Sequence, residues 1–252
     1  MLPTSISNKI LLTFVSDTHN QKPERFFYDH NEASGDILVH SGDFTSFGTD
    51  REAISFAHDW SDFASKYKFF LVGLGNHDGC FAGDADDVSS IIEQMKSIIP
   101  NIHIVFGGVR NILGLNFGFM PFSPRFGNYE FMADEKTILS KINKLSDVDI
   151  LVTHSPSWGI LDNHVESESK VLQIGSRSIR SFVDQSNPII HCFGHVHQSR
   201  GIFNRGGHYS INAALDGIDE DSRISWQETS FFIYDKNPVY LPYCEMFFTK
   251  NK

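Results

Sequence analysis

ILLTFVSDTH, residues 10–19, runs six mostly apolar residues straight into an Asp-x-His pair. The length and composition of the run predict a strand buried on both faces, with Asp17 and His19 placed where it stops. The pattern recurs four times: Ile37 to Val39 leads into Ser41-Gly42-Asp43, Phe69 to Leu74 into GNHD (75–78), Ile150 to Val152 into THS (153–155), and Ile189 to Phe193 into GHVH (194–197). Between the runs, Glu52 to Tyr67, Asp87 to Ile99 and Glu135 to Leu145 have helical spacing, with Asp50, Asp86 and Asp134 as expected N-caps. Val109 to Phe119 and Ile202 to Ile211 read as hairpins, the second turning at Asn204, Arg205, Gly206 and Gly207. Strands alternating with helices, plus hairpins, predict an α/β layered domain with mixed sheets. No repeat or composition break divides the chain, so residues 1–252 are expected to form one domain, with the aromatic-rich tail from Asn237 to Lys252 packed onto it.

Composition bounds the function. With 40% hydrophobic residues and 23 Phe among 252, the chain can bury a large core without cross-links. A formal charge of -10 argues against an extended nucleic-acid surface. Cys80, Cys192 and Cys244 form no C-x-x-C pair and leave one unpaired in any disulfide scheme, which points to a reducing compartment, by default the cytoplasm. The sequence lacks a signal-peptide pattern and any stretch near the roughly 18 apolar residues of a membrane span, so no membrane partner is expected. Oligomeric state is not readable.

Five strand ends carrying metal-competent groups can meet, because loops at the carboxyl ends of α/β strands converge on one crevice. The donors are Asp17, Asp43 and Asn76 through oxygen and His19, His154, His195 and His197 through imidazole, a set suited to hard or borderline divalent cations. Asp-x-His and His-x-His each present two side chains on one side of an extended segment. Singly, Asp-x-His or Gly-Asp is usually a turn or a cap; GHVH after an apolar strand is stronger, because two histidines on one face are rarely needed for packing.

The ordered set D-x-H, GD, GNH[D/E], H, GHxH resembles the calcineurin-like metallophosphoesterase superfamily, from Asp17 to His197. SDTHN, ILVHSGDFTSFG, PFSPRFG and ILVTHSPSWGILD are similar to its smaller metallophosphoesterase-domain (MPPED-like) branch. The resemblance implies a four-layer α/β/β/α sandwich of two mixed β-sheets flanked by helices. It implies two divalent metal ions, manganese foremost, with iron, zinc, nickel or cobalt as alternatives. Asp17, His19 and His197 would hold one, Asn76, His154 and His195 the other, and Asp43 would bridge them. His77 matches the non-ligand histidine beside the metals and is the candidate catalytic residue, able to protonate a leaving oxygen. The implied reaction is hydrolysis of a small phosphoester, most of all a phosphodiester such as a cyclic nucleotide, with water activated between the ions.

Asn20, Arg125 and His164 are candidate substrate contacts; Asn212 is a candidate support for the site. His40 and His191 read as satisfied strand-end or core histidines. One alternative is a phosphomonoesterase or protein phosphatase of the same superfamily, disfavoured because GDFTSFG and GLGNHDG lack the phosphate-gripping arginines of those motifs. The other is a non-catalytic scaffold, disfavoured because all seven ligand positions are intact.

Overall fold

The computed structural model describes residues 9–167, 170–234 and 236–240. In chain order the strands are β1 (Lys9–Val15), β2 (Gly35–His40), β3 (Tyr67–Val72), β4 (Ile102–Ile104), β5 (Gly108–Ile112), β6 (Leu115–Met120), β7 (Ser123–Pro124), β8 (Met132–Ala133), β9 (Ile150–Thr153), β10 (Asn163–Ser167), β11 (Lys170–Gln173), β12 (Ile190–Phe193), β13 (Gly201–Arg205), β14 (His208–Asn212), β15 (Ser230–Tyr234) and β16 (Asn237–Tyr240). The helices are α1 (Pro23–Phe26), α2 (Asp50–Ala64), α3 (Ala85–Ile98), α4 (Glu135–Ile142) and α5 (Arg177–Ser186).

Two six-stranded mixed sheets result, ordered β16-β15-β1-β2-β3-β4 and β13-β14-β12-β9-β6-β5. The strands that end in the polar motifs run parallel to one another within each sheet, β1 paired with β2, β2 with β3, and β9 with β12. Side chains alternate across each strand. Ile10, Leu12 and Phe14 of β1, Ile37 and Val39 of β2, Ile150 and Val152 of β9 and Cys192 of β12 fill the space between the sheets. On the far side of the first sheet, Val15, Leu38 and Phe70 meet Phe56, Trp60 and Phe63 of α2 and Ile91 and Met95 of α3. On the far side of the second, Leu151 packs with Ile138 and Ile142 of α4 and Ile179 and Phe182 of α5. Helix, sheet, sheet and helix are therefore the four layers, as the family resemblance implies.

The differences are local. Thr49, not Asp50, caps α2 through a capping box: its hydroxyl accepts from Glu52 N at 3.3 Å, and Thr49 N donates to the Glu52 carboxylate at 3.0 Å. Helix α2 stops at Ala64 because Tyr67 is needed in β3, paired with Gly35. Asp84 rather than Asp86 is the extended residue before α3, whereas Asp134 caps α4 as expected, its carboxylate accepting from Thr137 N at 2.7 Å. Helix α5 and the β10–β11 ribbon were not foreseen. Asn237–Tyr240 forms the edge strand β16 on β15; residues 241–252, with Cys244, lie outside the described residues. Among the described residues, no helix is long and apolar enough to cross a membrane.

Candidate metal centre

The motifs reach one another because both sheets present the ends of their parallel strands to the same edge. Ser16, just past β1, forms an isolated parallel bridge with Ala214, just past β14, and joins the sheets there. At this seam Asp17, His19, Asn20, Asp43 and His195 all adopt positive φ, between 40° and 67°. Left-handed backbone is uncommon for residues other than glycine and costs energy, so its clustering marks a strained, functional edge.

The donor side chains gather into two clusters, Asp17 with His19 and His197, and Asp43 with His154 and His195, the donor atoms of each within 4.8 Å of one another. Asn76 joins the second, its Oδ1 lying 3.1 Å from His154 Nε2, while Asp43 Oδ2 lies 3.0 Å from the same nitrogen. Each cluster takes residues from both sheets.

Ring orientation fits a cation. His19 Nδ1 donates to the Thr45 carbonyl at 3.1 Å, His154 Nδ1 to the Ser41 carbonyl at 3.2 Å, and His197 Nδ1 to Asp216 Oδ2 at 2.8 Å. Each bond fixes the tautomer and turns Nε2 into the cluster, the way metal-binding histidines are held. His19 Nε2 is buried without any hydrogen-bond partner, an orphan that costs about 1–3 kcal/mol unless a ligand meets it.

Charge tells the same story. Burial opposes ionisation of Asp17, but the hydrogen bond from His197 and the charges of His154, His197 and His19 hold its carboxyl well below the usual range. His195 N also donates to both Asp17 oxygens, at 3.1 and 3.0 Å. Burial likewise opposes charge on Asp43, and the adjacent His154 lowers its pKa. Burial pulls His154 and His197 down, yet Asp43 raises the first to about 9, and Asp17 and Asp216 raise the second to about 10. His195, brought down to about 3 chiefly by burial, is neutral.

The support was mostly invisible in the sequence. Asp78 Oδ2 accepts from Asp43 N and Gly75 N, both at 2.8 Å, and its Oδ1 from Thr45 N at 3.0 Å. It thereby ties the second motif to the third and does not orient the His77 ring. At Gly75 a Cβ would collide with Asp43 Oδ1, and at Gly194 with Asp17 Oδ2 and Ser16 Oγ, so only glycine fits at either place. Asn212, expected as a support, donates to the Val196 carbonyl at 2.8 Å within GHVH. Asp216, which sequence reasoning missed, is in an exposed loop with no spacing signal.

His77 lies outside both clusters. Its Nδ1 donates to the Ser46 carbonyl at 2.6 Å, leaving Nε2 as the exchangeable nitrogen, and its ring centroid is 5.0 Å from that of His19. Of the candidate substrate contacts, Asn20 holds Oδ1 buried and unpartnered between the motif loops. Arg125 is exposed on the lobe between β7 and β8. His164 is on β10, whose ribbon is tied beside His197 by Gln198 Oε1 accepting from Val165 N at 2.9 Å; its ring makes no bond described at the clusters. Sequence reasoning passed over Phe126 and Tyr129 on the same lobe as Arg125: their rings lie 5.2 Å from His195 and 4.9 Å from His77. His40 is a satisfied core histidine, bonded to Thr18 and to Gly42 N. His191 Nε2 meets Thr153 Oγ1 at 2.9 Å, but its buried Nδ1 has no partner.

A sequence model described as "Calcineurin-like phosphoesterase" matches residues 10–199. UPF0046 protein K07C11.7 of Caenorhabditis elegans is 30% identical over 243 residues, covering 93% of this chain and 79% of that protein. Metallophosphoesterase domain-containing protein 1 of Homo sapiens is 27% identical over 223 residues, covering 80% of this chain and 64% of the relative. Among solved structures, TT1561 of Thermus thermophilus aligns with a TM-score of 0.57 at 11% identity, over 90% of this chain and 94% of that one, a likeness of fold.

Proposed function

Because the chain belongs to the calcineurin-like phosphoesterase family, we propose that it is a binuclear metal-dependent phosphodiesterase of small substrates such as cyclic nucleotides. The observation that carries this reading is the pair of adjacent donor clusters in which His19, His154 and His197 are held by Nδ1 so that Nε2 points inward. Asp17, His19 and His197 would hold one divalent ion, and Asn76, His154 and His195 the other, with Asp43 between them. Manganese suits this oxygen and imidazole set, as do iron, zinc, nickel and cobalt.

When bound, two such ions supply Lewis acidity, an activated water and a clamp on the phosphoryl oxygens. The remaining work falls to the chain. His77, locked by the Ser46 carbonyl, would deliver a proton from Nε2 to the leaving oxygen. Asn20, whose Oδ1 is buried without a partner, would accept a hydrogen bond from a donor group of the substrate, with Arg125 and His164 at the rim. Asp78 keeps Asp43 and Gly75 in register, so that the ligand loops do not have to reorganise during turnover.

The seam between the sheets supports one functional unit over residues 1–252, and the unpaired Cys80 and Cys192 support a reducing, cytoplasmic setting. The test is a screen of cyclic nucleotides, other phosphodiesters and phosphomonoesters with added manganese, using Asp43→Asn as the control. Diester turnover that requires metal and is lost in the variant is expected. A strong monoester preference, or full activity in the variant, would overturn the assignment.

A further inference from the structure

Phe126 and Tyr129 are 60% and 47% exposed, yet both rings pack beside histidines of the centre. The lobe that carries them is closed at its base. Ser123 N donates to the Phe131 carbonyl at 2.9 Å and Arg125 N to the Ala133 carbonyl at 3.2 Å, beside the β7–β8 pairing. Within it the two rings lie 5.7 Å apart. Each also touches one histidine of the centre in tilted geometry, Phe126 against His195 and Tyr129 against His77.

The pair therefore spans the mouth of the site, from the second donor cluster to the histidine assigned to the leaving oxygen. Part of each ring is spent on a histidine of the centre, and the rest is exposed beside it. Flat aromatic surface left exposed there gains most from another flat ring, through apolar burial and offset stacking together. A short alkyl group would cover less of it.

We propose that Phe126 and Tyr129 form an aromatic platform that selects phosphoesters whose ester group carries a planar ring, such as an aryl group or a nucleobase. This rests on the phosphoesterase reading above and adds a specificity element to it.

The test measures binding of non-hydrolysable phenylphosphonate and ethylphosphonate by calorimetry to the manganese-loaded protein. The proteins compared are wild type, Phe126→Ala, Tyr129→Ala, the double variant, the conservative Phe126→Tyr and Tyr129→Phe, and Phe203→Ala as a remote exposed-ring control. Wild type is expected to prefer the phenyl ligand by about five- to tenfold. The alanine variants should lose that preference with unchanged ethylphosphonate affinity and metal content, and the conservative variants should keep it. Equal affinity of wild type for both ligands, an equal loss for both in the alanine variants, or a parallel fall in metal content would overturn the platform. Hydrolysis of bis(p-nitrophenyl) phosphate is followed alongside. Absent turnover with the phenyl preference intact overturns only the hydrolase reading, and turnover without the preference overturns only the platform.

Discussion

Asp216 Oδ2 accepts a hydrogen bond from His197 Nδ1 at 2.8 Å, while the opposite nitrogen of the same ring lies 3.0 Å from Asp17 Oδ1. The imidazole is thus strung between an exposed carboxylate and a buried one, and only the buried one belongs to a donor cluster. Removing the outer carboxylate frees the ring to rotate. Asp216→Ala is expected to weaken metal binding at the first cluster by about tenfold or more, a usual cost of losing such a partner. Calorimetric titration with manganese checks this, and wild-type affinity for both ions would show that Asp17 alone orients the ring.

His77→Ala separates chemistry from metal holding. The ring is tied to the Ser46 carbonyl and outside both clusters. Turnover should fall by about 10²- to 10⁴-fold, the range for loss of a general acid, with metal content within error of wild type. Elemental analysis of the purified variant decides it; loss of an ion would make His77 a ligand.

Metal uptake should expel protons. In the metal-free protein His154 is raised to about 9 and His197 to about 10, so both are protonated at pH 7 and both must lose that proton to ligate. A raised pKa means that the proton competes harder as pH falls. Apparent metal affinity is therefore expected to climb as pH rises toward 9–10, by up to about tenfold per pH unit for each proton displaced. A weakly buffered titration with an indicator dye should record acid release at pH 7, and no release there would contradict the assignment.

Gly194→Ala would drive a methyl group into Asp17 Oδ2 and Ser16 Oγ. Overpacking of this kind costs about 1–3 kcal/mol, and here the displaced atom is also a donor. The variant should melt several degrees lower and retain less metal than wild type. An unchanged melting curve would mean that the seam has more room than its geometry gives.

Glu135 begins α4 and also caps α5, accepting from Arg177 N, Ser178 N and Ser176 Oγ, each at 2.9 Å. Burial works to raise its pKa, but these bonds and that from the Ser178 hydroxyl outweigh it and bring the value down. A lowered pKa favours the folded state above the ordinary glutamate value of 4.5, and the benefit is lost as pH falls through the depressed one. Glu135→Gln should cost about 1 kcal/mol at neutral pH, kept small by partial exposure, and the gap should close in acid. Thermal melts of both proteins from pH 7 down to pH 3 test it, and a gap that widens in acid would reverse the sign.

What the sequence reveals and what it hides divide along a physical line. The strands were legible because Ile10, Leu12 and Phe14, or Ile150 and Val152, are runs with no competing helical period, and each ends in groups that packing does not need. The ligands followed from chemistry at those ends. Helix α5 was not legible because, in RSIRSFVDQS, only Ile179, Phe182 and Val183 are apolar, and the Ser176 cap sits in a stretch already rich in serine. Asp216, Phe126 and Tyr129 were missed, and the partners of Asp78 were not readable, for a different reason: each acts on a residue far along the chain or across a loop, through contacts made only in the folded chain. The start of α2 was misplaced for a local reason, since Thr49 and Glu52 form a T-x-x-E capping box that leaves Asp50 inside the first turn.

The sharing of each candidate donor cluster between the two sheets would make a bound cation a cross-brace as well as a reagent. An ion held by Asp17, His19 and His197 clasps segments separated by up to 180 residues in the chain, much as a disulfide closes a long loop, but reversibly and at the command of a chelator. Neither half of the molecule owns a complete set, so neither could capture a cation in this way before the other has folded against it. Metal-dependent reactivity would thereby be conditional on assembly: a partly folded chain would be structurally incomplete and chemically silent at once.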